Sequence, residues 1–156
     1  MHRIGLNRAS RAIAVFLMIA AGTVRTEEAR TSPPPITESY TMLYYRELGP
    51  AKTFYGDVLA LTPVMVDEGF ALYRIAGGSA VGLIREGPGA YHRVQTTNAV
   101  MLSIVTTDVD AWYARVHAQR DTRILKQMYE RKDAGIRGFL MEDPGGYTVE
   151  LFEWLK

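Results

Sequence analysis

The stretch DPGGYTVELFE, residues 143–153, decides the fold. Its first four residues are typical of a hairpin turn. The Asp side chain can accept hydrogen bonds from the nearby backbone, Pro fixes its own φ angle, and Gly can adopt a positive φ. The residues that follow include the β-branched and aromatic types that strands favour. We therefore predict a turn and then a strand over 147–154, in which Glu150 stands between the apolar residues Val149 and Leu151.

An earlier part of the chain repeats this pattern. Gly77-Gly78-x-x-Val81-x-Leu83 matches Gly145-Gly146-x-x-Val149-x-Leu151 at an offset of 68 residues. Glu47-Leu48 matches Asp108-Val109 at an offset of 61. The seven extra residues fall in a middle hairpin, where a longer loop costs little. Chance similarity is the alternative to a true repeat.

The predicted elements follow one order in both halves: a strand, an amphipathic helix and three strands. The strands cover 38–46, 62–66, 70–76 and 80–84, then 99–106, 123–130, 136–141 and 147–154. The helices cover 50–61 and 108–119, and Thr107 or Asp108 caps the second one. The predicted fold class is therefore α+β, with two βαβββ modules in one domain over 38–156.

Composition excludes several kinds of chemistry. The 156 residues are 47% apolar and 22% charged, as expected for one globular domain. The absence of cysteine excludes disulfides, a thiolate nucleophile and Cys-ligated zinc. Residues 36–156 hold 13 basic and 15 acidic side chains, so we predict no nucleic-acid partner.

The N-terminal segment has the pattern of a targeting signal. Arg3, Arg8 and Arg11 precede the uncharged run AIAVFLMIAAGTV, residues 12–24. As a helix this run would cover about 20 Å, less than the roughly 30 Å hydrocarbon core. We predict a signal peptide over 1–24 and an exported protein, periplasmic or secreted. An uncleaved membrane anchor and a cytoplasmic location are the alternatives.

A Pro-rich linker is predicted over 25–37, because its three successive prolines cannot continue a helix. No membrane span is predicted in the mature domain that follows.

Two stretches carry a resemblance to a known family. Glu47-Leu48 followed by FYGDVLAL, 54–61, resembles the opening of a vicinal oxygen chelate domain. Residues 143–153 resemble the second signature of that superfamily, an Asp-Pro-x-Gly-Asn turn before a Glu-bearing strand. The superfamily includes glyoxalase I, bleomycin-resistance proteins and extradiol dioxygenases. The resemblance spans roughly 37–154 and implies two modules whose curved sheets face each other around one cavity.

The resemblance also implies where a metal would bind. In metal-using members four strand positions supply the ligands, and these positions fall on Tyr40, Gly82, Met101 and Glu150. Enzymes of the family place His, Gln or Glu there, so only Glu150 matches. Gly has no side chain, Met offers a soft thioether, and Tyr binds well only as phenolate. We therefore predict no metal and no other cofactor, with a divalent metal as the disfavoured alternative.

Strand alternation places further side chains on the face of Glu150. The predicted ligand-binding residues are Tyr40, Met42, Tyr44, Gly82, Met101, Ser103, Glu150 and Phe152. Aromatic and Met side chains suit a flat organic molecule. The alternative is a filled core, although Gly82 favours open space. Glu150 is the candidate catalytic residue, and its alternative is structural pairing with a neighbour such as Tyr40 or an Arg.

These observations predict a metal-independent protein that binds a small, partly aromatic organic molecule between the two modules. The alternative is a metal-dependent or Glu-assisted lyase, isomerase or dioxygenase of the same superfamily, so enzymatic activity is left open. Trp112 and Trp154 are predicted to pack inside the domain. An exposed Trp154 would instead indicate a homodimer surface.

Overall fold

Residues 33–156, the part of the chain that the computed structural model describes, contain the element order βαβββ twice. Residues Pro35–Lys156 form one unit. The predicted signal peptide, 1–24, lies outside the described residues, as do residues 25–32 of the predicted linker. No helix in the described part of the chain has the length and apolar character needed to span a bilayer.

The elements of the first module are β1 (Ser39–Tyr45), α1 (Leu48–Thr53), β2 (Thr62–Val66), β3 (Phe70–Ala76) and β4 (Ser79–Arg85). Those of the second module are β5 (Met101–Val105), α2 (Val109–His117), β6 (Arg123–Arg131), β7 (Ile136–Glu142) and β8 (Thr148–Trp154). Each module forms a four-stranded mixed sheet, in the orders β1-β4-β3-β2 and β5-β8-β7-β6. The two sheets are curved but not closed, and the predicted α+β fold is confirmed.

The strand register confirms the internal repeat. In the first module β1 runs parallel to β4 and places Met42 beside Gly82. In the second module β5 runs parallel to β8 and places Ser103 beside Glu150. These two pairs are related by the offsets of 61 and 68 residues. Four extra residues lie in the predicted middle hairpin, because β6 has nine residues and β2 has five, and the turn before β8 is also longer than the turn before β4.

The helices begin where local chemistry favours them. At the start of α2 the Asp108 carboxylate accepts a hydrogen bond from the Ala111 N–H, so Asp108 is the cap.

The first helix differs from the prediction, because α1 ends at Thr53 and continues as a π-helical turn, Phe54–Val58. Gly56 in this turn lies against the Tyr73 ring, where a Cβ would be 3.3 Å from a ring carbon. Glycine thus allows the turn to approach β3 closely.

Alternate strand residues pack against the helices and form the core. The buried set comprises Leu43, Tyr45, Val81, Leu83, Leu102, Phe139, Met141, Val149 and Leu151 from the strands, with Ala51, Tyr55, Val109 and Val116 from the helical segments. The opposite side of each sheet, which we call the inner face, carries the strand residues that alternate with these core residues.

Trp112 packs against this core as predicted. The prediction for Trp154 was wrong, because it lies near the end of an inner face and is 62% exposed.

Candidate functional site

Glu150 is held on the inner face of the second sheet by two hydroxyl groups. Ser103 Oγ donates a 2.7 Å hydrogen bond to Oε2, and the Tyr129 hydroxyl donates a 2.6 Å bond to Oε1. The carboxylate is only 8% exposed. Each of its oxygens thus has a donor, as burial of a charged group requires. Glu150, Ser103 and Tyr129 are called the Glu150 cluster below.

The Tyr129 hydroxyl holds its proton more tightly than an ordinary tyrosine does. Burial, and then the hydrogen bond and negative charge of Glu150, raise the pKa of Tyr129 to about 12. The Lys126 ammonium lies 3.8 Å from the centre of the Tyr129 ring, within cation–π range. Tyr129 is therefore protonated at neutral pH, and its hydroxyl donates a hydrogen bond to the carboxylate.

Sequence reasoning placed Glu150 and Ser103 on one face but missed Tyr129. The strand β6 has register shifts between Ile124 and Lys126 and again between Lys126 and Tyr129. One bulge reverses the faces of the residues after it, and a second restores them. Tyr129 therefore lies on the side opposite Ile124 and Met128, which pack against the core. Alternation counted from Ile124 gives this face, but Tyr129 was not among the predicted residues. The proposed pairings of Glu150 with Tyr40 or an Arg are replaced by hydrogen bonds to Ser103 and Tyr129.

The equivalent position in the first module holds no polar cluster. A Cβ at Gly82 would overlap the Met42 sulfur, so the thioether occupies the space that the glycine leaves. The Phe70 ring lies at 3.6 Å from the same point. The two modules thus present different chemistry at matched positions, a carboxylate with two hydroxyls in one and a thioether in the other.

The remaining predicted residues divide by exposure. Tyr40, Met42 and Met101 are exposed, which is not the behaviour of a filled core. Phe152 is buried, and its ring packs edge-on against Trp154 at 5.2 Å. Tyr44 is half-buried and packs edge-on against the His92 ring, also at 5.2 Å. The contacts among the predicted residues therefore fall into two groups, one on each sheet.

The donor set does not fit a catalytic metal. Of the four positions at which the family resemblance implies metal ligands, Gly82 has no donor, Met101 is an exposed thioether and Tyr40 is a phenol. Glu150 already accepts one hydrogen bond on each oxygen. Within residues 33–156, no three side chains of the types His, Cys, Asp and Glu come together.

A second buried carboxylate joins the two modules. Asp143, only 3% exposed, accepts hydrogen bonds from the hydroxyls of Tyr45 at 2.5 Å and Tyr55 at 3.0 Å. Its other oxygen accepts from the N–H groups of Gly145 and Tyr147. Burial raises the pKa of Asp143, and these hydrogen bonds oppose that rise. The turn that the sequence predicted thus also fastens the β7–β8 hairpin to β1 and to the π-helical turn.

Comparison with known proteins assigns the fold a family. A model of the Glyoxalase/Bleomycin resistance protein/Dioxygenase superfamily matches residues 39–151. A glyoxalase/bleomycin resistance protein/dioxygenase from Nocardioides is 20% identical with a TM-score of 0.63, over 81% of this chain and 88% of that one. No individually curated protein matches the chain.

Two further solved structures have the same architecture. A lactoylglutathione lyase from Agrobacterium tumefaciens is 21% identical with a TM-score of 0.60, over 78% of this chain and 96% of that one. TioX from Micromonospora sp. ML1 is 19% identical with a TM-score of 0.60, over 76% and 98%. Identities this low establish the fold, and the activity has to be argued from the site. The family match covers more than half of the chain, and the chain therefore belongs to the Glyoxalase/Bleomycin resistance protein/Dioxygenase superfamily.

Proposed function

We propose that this chain is a metal-independent binding protein for a small, partly aromatic organic molecule that lies on the inner faces. The observation that carries the proposal is the Glu150 cluster, a satisfied carboxylate at the position where metal-using relatives need a free ligand. Exposed Met101 on the inner face of the same sheet, and Met42 and Tyr40 on that of the first sheet, supply adaptable apolar contact.

The hydrogen-bond directions in the cluster indicate the ligand's polar group. The hydroxyl protons of Ser103 and Tyr129 are both directed to Glu150. The lone pairs that remain on these three residues can only accept hydrogen bonds. The proposed ligand is therefore an aromatic molecule with an N–H or ammonium donor. A buried carboxylate strengthens such a bond.

Benzylamine is a suitable probe, with benzyl alcohol and butylamine as controls for the charge and the ring. In the presence of a chelator, NMR should show benzylamine shifting the backbone amides of Ser103 and Phe152. Glu150→Gln should weaken this binding by about tenfold or more, since a hydrogen bond to a charged group contributes about 1.5–3 kcal/mol. Binding that required an added metal ion, or that was unchanged in Glu150→Gln, would contradict the proposal.

The alternative function is a Glu-assisted lyase, isomerase or dioxygenase of the same superfamily. One observation favours it: the 2.6 Å bond between Tyr129 and Glu150 is a path for a proton. Turnover of any substrate that was lost in Glu150→Gln but kept in Glu153→Gln would support the enzyme instead.

We also propose that Trp154 marks a homodimer contact. Exposed Trp154 and Val105 line one hollow of about 880 Å³ with Leu155. Large exposed apolar side chains grouped in this way are typical of protein interfaces. Sedimentation analysis should give a dimer for the unaltered chain and a monomer for Trp154→Ser. A monomer in both cases would refute the contact.

A further inference from the structure

A cleft of about 480 Å³ lies where the two modules meet, and we call it the seam cleft. One wall is Met42, Leu43 and Tyr44 of β1, and Tyr147 stands at the start of β8. The remaining lining comes from the connector between the modules, namely His92, Arg93, Gln95, Thr97, Asn98, Ala99 and Val100. The volume lies within the range of small-molecule sites.

The connector is fastened to the body of the domain rather than looped away from it. The Val94 N–H donates a 2.9 Å hydrogen bond to the Glu86 carboxylate. The Asn98 side-chain amide donates a 3.0 Å bond to the Gly145 carbonyl. Two residues before the first anchor, the His92 ring packs edge-on against Tyr44. A cleft wall held in this way loses little freedom when a ligand binds.

The charges along the cleft have one sign. Among the described lining residues, Arg93 carries a positive charge and no Asp or Glu supplies a negative one. The ion pairs within residues 33–156 do not include Arg93. Glu86, the carboxylate that anchors the connector, already faces Arg46 at 3.7 Å and accepts from Val94. The Arg93 guanidinium thus has its planar set of donors available for a carboxylate.

The rest of the lining is suited to a ring. Tyr44 and His92 contribute aromatic surface, and the exposed Val100 contributes aliphatic surface. The Tyr147 hydroxyl is already used, because it accepts from the Tyr44 N–H at 3.1 Å and donates to the Tyr44 carbonyl at 3.2 Å. We propose that the seam cleft binds a small aromatic carboxylate, with the carboxylate at Arg93.

This proposal deepens the proposed function and rests on it in part, because Met42 and Tyr44 belong to both surfaces. The two sites nevertheless select opposite charges. The Glu150 cluster accepts hydrogen bonds from a donor, whereas the seam cleft donates them to an anion. The two sites can therefore be tested separately with probes of opposite charge.

The test uses benzoate, with benzamide and acetate as probes that lack the charge or the ring. Benzoate titrated into the full chain should shift the amides of Val94, Asn98 and Tyr147 while those of Ser103 and Phe152 stay in place. Benzamide and acetate should each bind about tenfold more weakly, a difference of about 1.4 kcal/mol. Arg93→Gln should weaken benzoate binding to the level of benzamide, and the charge-matched control Arg120→Gln should leave it unchanged.

Three results would overturn the seam cleft. Benzamide binding as tightly as benzoate removes the role of the charge, and acetate binding as tightly removes the role of the ring. If Arg93→Gln binds benzoate as tightly as the unaltered chain does, Arg93 does not hold the carboxylate. Failure of benzylamine to bind, with benzoate still shifting Val94 and Asn98, would reject the Glu150 site and leave the seam cleft standing.

Discussion

Tyr129 and Glu150 lie on different strands of the second sheet and share a 2.6 Å hydrogen bond in which the phenol is the donor. The bond exists because Tyr129 lies on the side of β6 opposite the core-packed Ile124 and Met128, where it pairs with Gly138 of β7. Together with Ser103 it converts a carboxylate that could hold a metal into one that is fixed and satisfied.

Tyr129→Phe should destabilise the fold measurably. The substitution removes one of the two donors to a nearly buried carboxylate, and such a loss costs about 1–3 kcal/mol in the free energy of unfolding. Urea unfolding measures it. The control is Tyr91→Phe, because Tyr91 is 91% exposed and should lose almost nothing. Equal stability of the two variants would contradict the assigned role of Tyr129.

Tyr45→Phe should also destabilise the fold, by a similar amount. It removes the 2.5 Å hydrogen bond to Asp143, which is buried and whose Oδ2 then retains only the Tyr55 donor. Because Tyr45 belongs to the first module and Asp143 to the second, hydrogen exchange should also rise at Gly145 and Tyr147. Exchange that rose only within β1 would indicate that the contact does not join the modules.

Met42 and Gly82 should behave as a coupled pair. Gly82→Ala places a methyl group where the Met42 sulfur lies, but the flexible, exposed Met42 side chain can shift, so the fold should lose about 1 kcal/mol or less. In the double variant Met42→Ala with Gly82→Ala, the overlap disappears. The double variant should therefore lose less stability than the two single changes together. Simple additivity in a denaturant double-mutant cycle would mean that the thioether does not occupy this space.

Tyrosine ionisation gives a pH prediction with a definite sign. Burial raises the pKa values of Tyr45, Tyr55 and Tyr73, and burial with Glu150 raises that of Tyr129 to about 12. An unfolded tyrosine loses its proton near pH 10. Above that pH the unfolded chain binds fewer protons than the folded one, so the free energy of unfolding falls as pH rises.

The tyrosinate absorbance measures this directly. Between about pH 10 and about pH 12 the folded chain should ionise fewer of its nine tyrosines than the same chain in urea. Adding urea at fixed pH should therefore increase the absorbance. Identical titration curves for the folded and unfolded chains would contradict the burial of these hydroxyls.

Much of the fold followed from periodicity. The two offsets of 61 and 68 residues predicted a repeat, and the register of Met42 with Gly82 and of Ser103 with Glu150 confirms both. Strand β2 and strand β3 have their predicted bounds, because apolar runs separated by Gly leave little choice of end point.

The missing parts depend on contacts that no local pattern encodes. Tyr129 reaches Glu150 across 21 positions of sequence through the pairing of β6, β7 and β8, and Tyr45 reaches Asp143 across 98 positions. The chemical difference between the two modules also depends on packing. Gly82 predicts open space, but the Met42 side chain fills it. His92 lies between the predicted strands 80–84 and 99–106, and the packing of its ring on Tyr44 has no counterpart in the strand pattern.

The most direct test of the central claim is metal content. The purified chain, incubated separately with Zn²⁺, Mn²⁺, Ni²⁺ and Fe²⁺ and then dialysed, should retain far less than one ion per chain. Glu150→Gln should give the same result, because the Glu150 carboxylate is already held by Ser103 and Tyr129. One tightly bound ion per chain that disappears in Glu150→Gln would contradict the account.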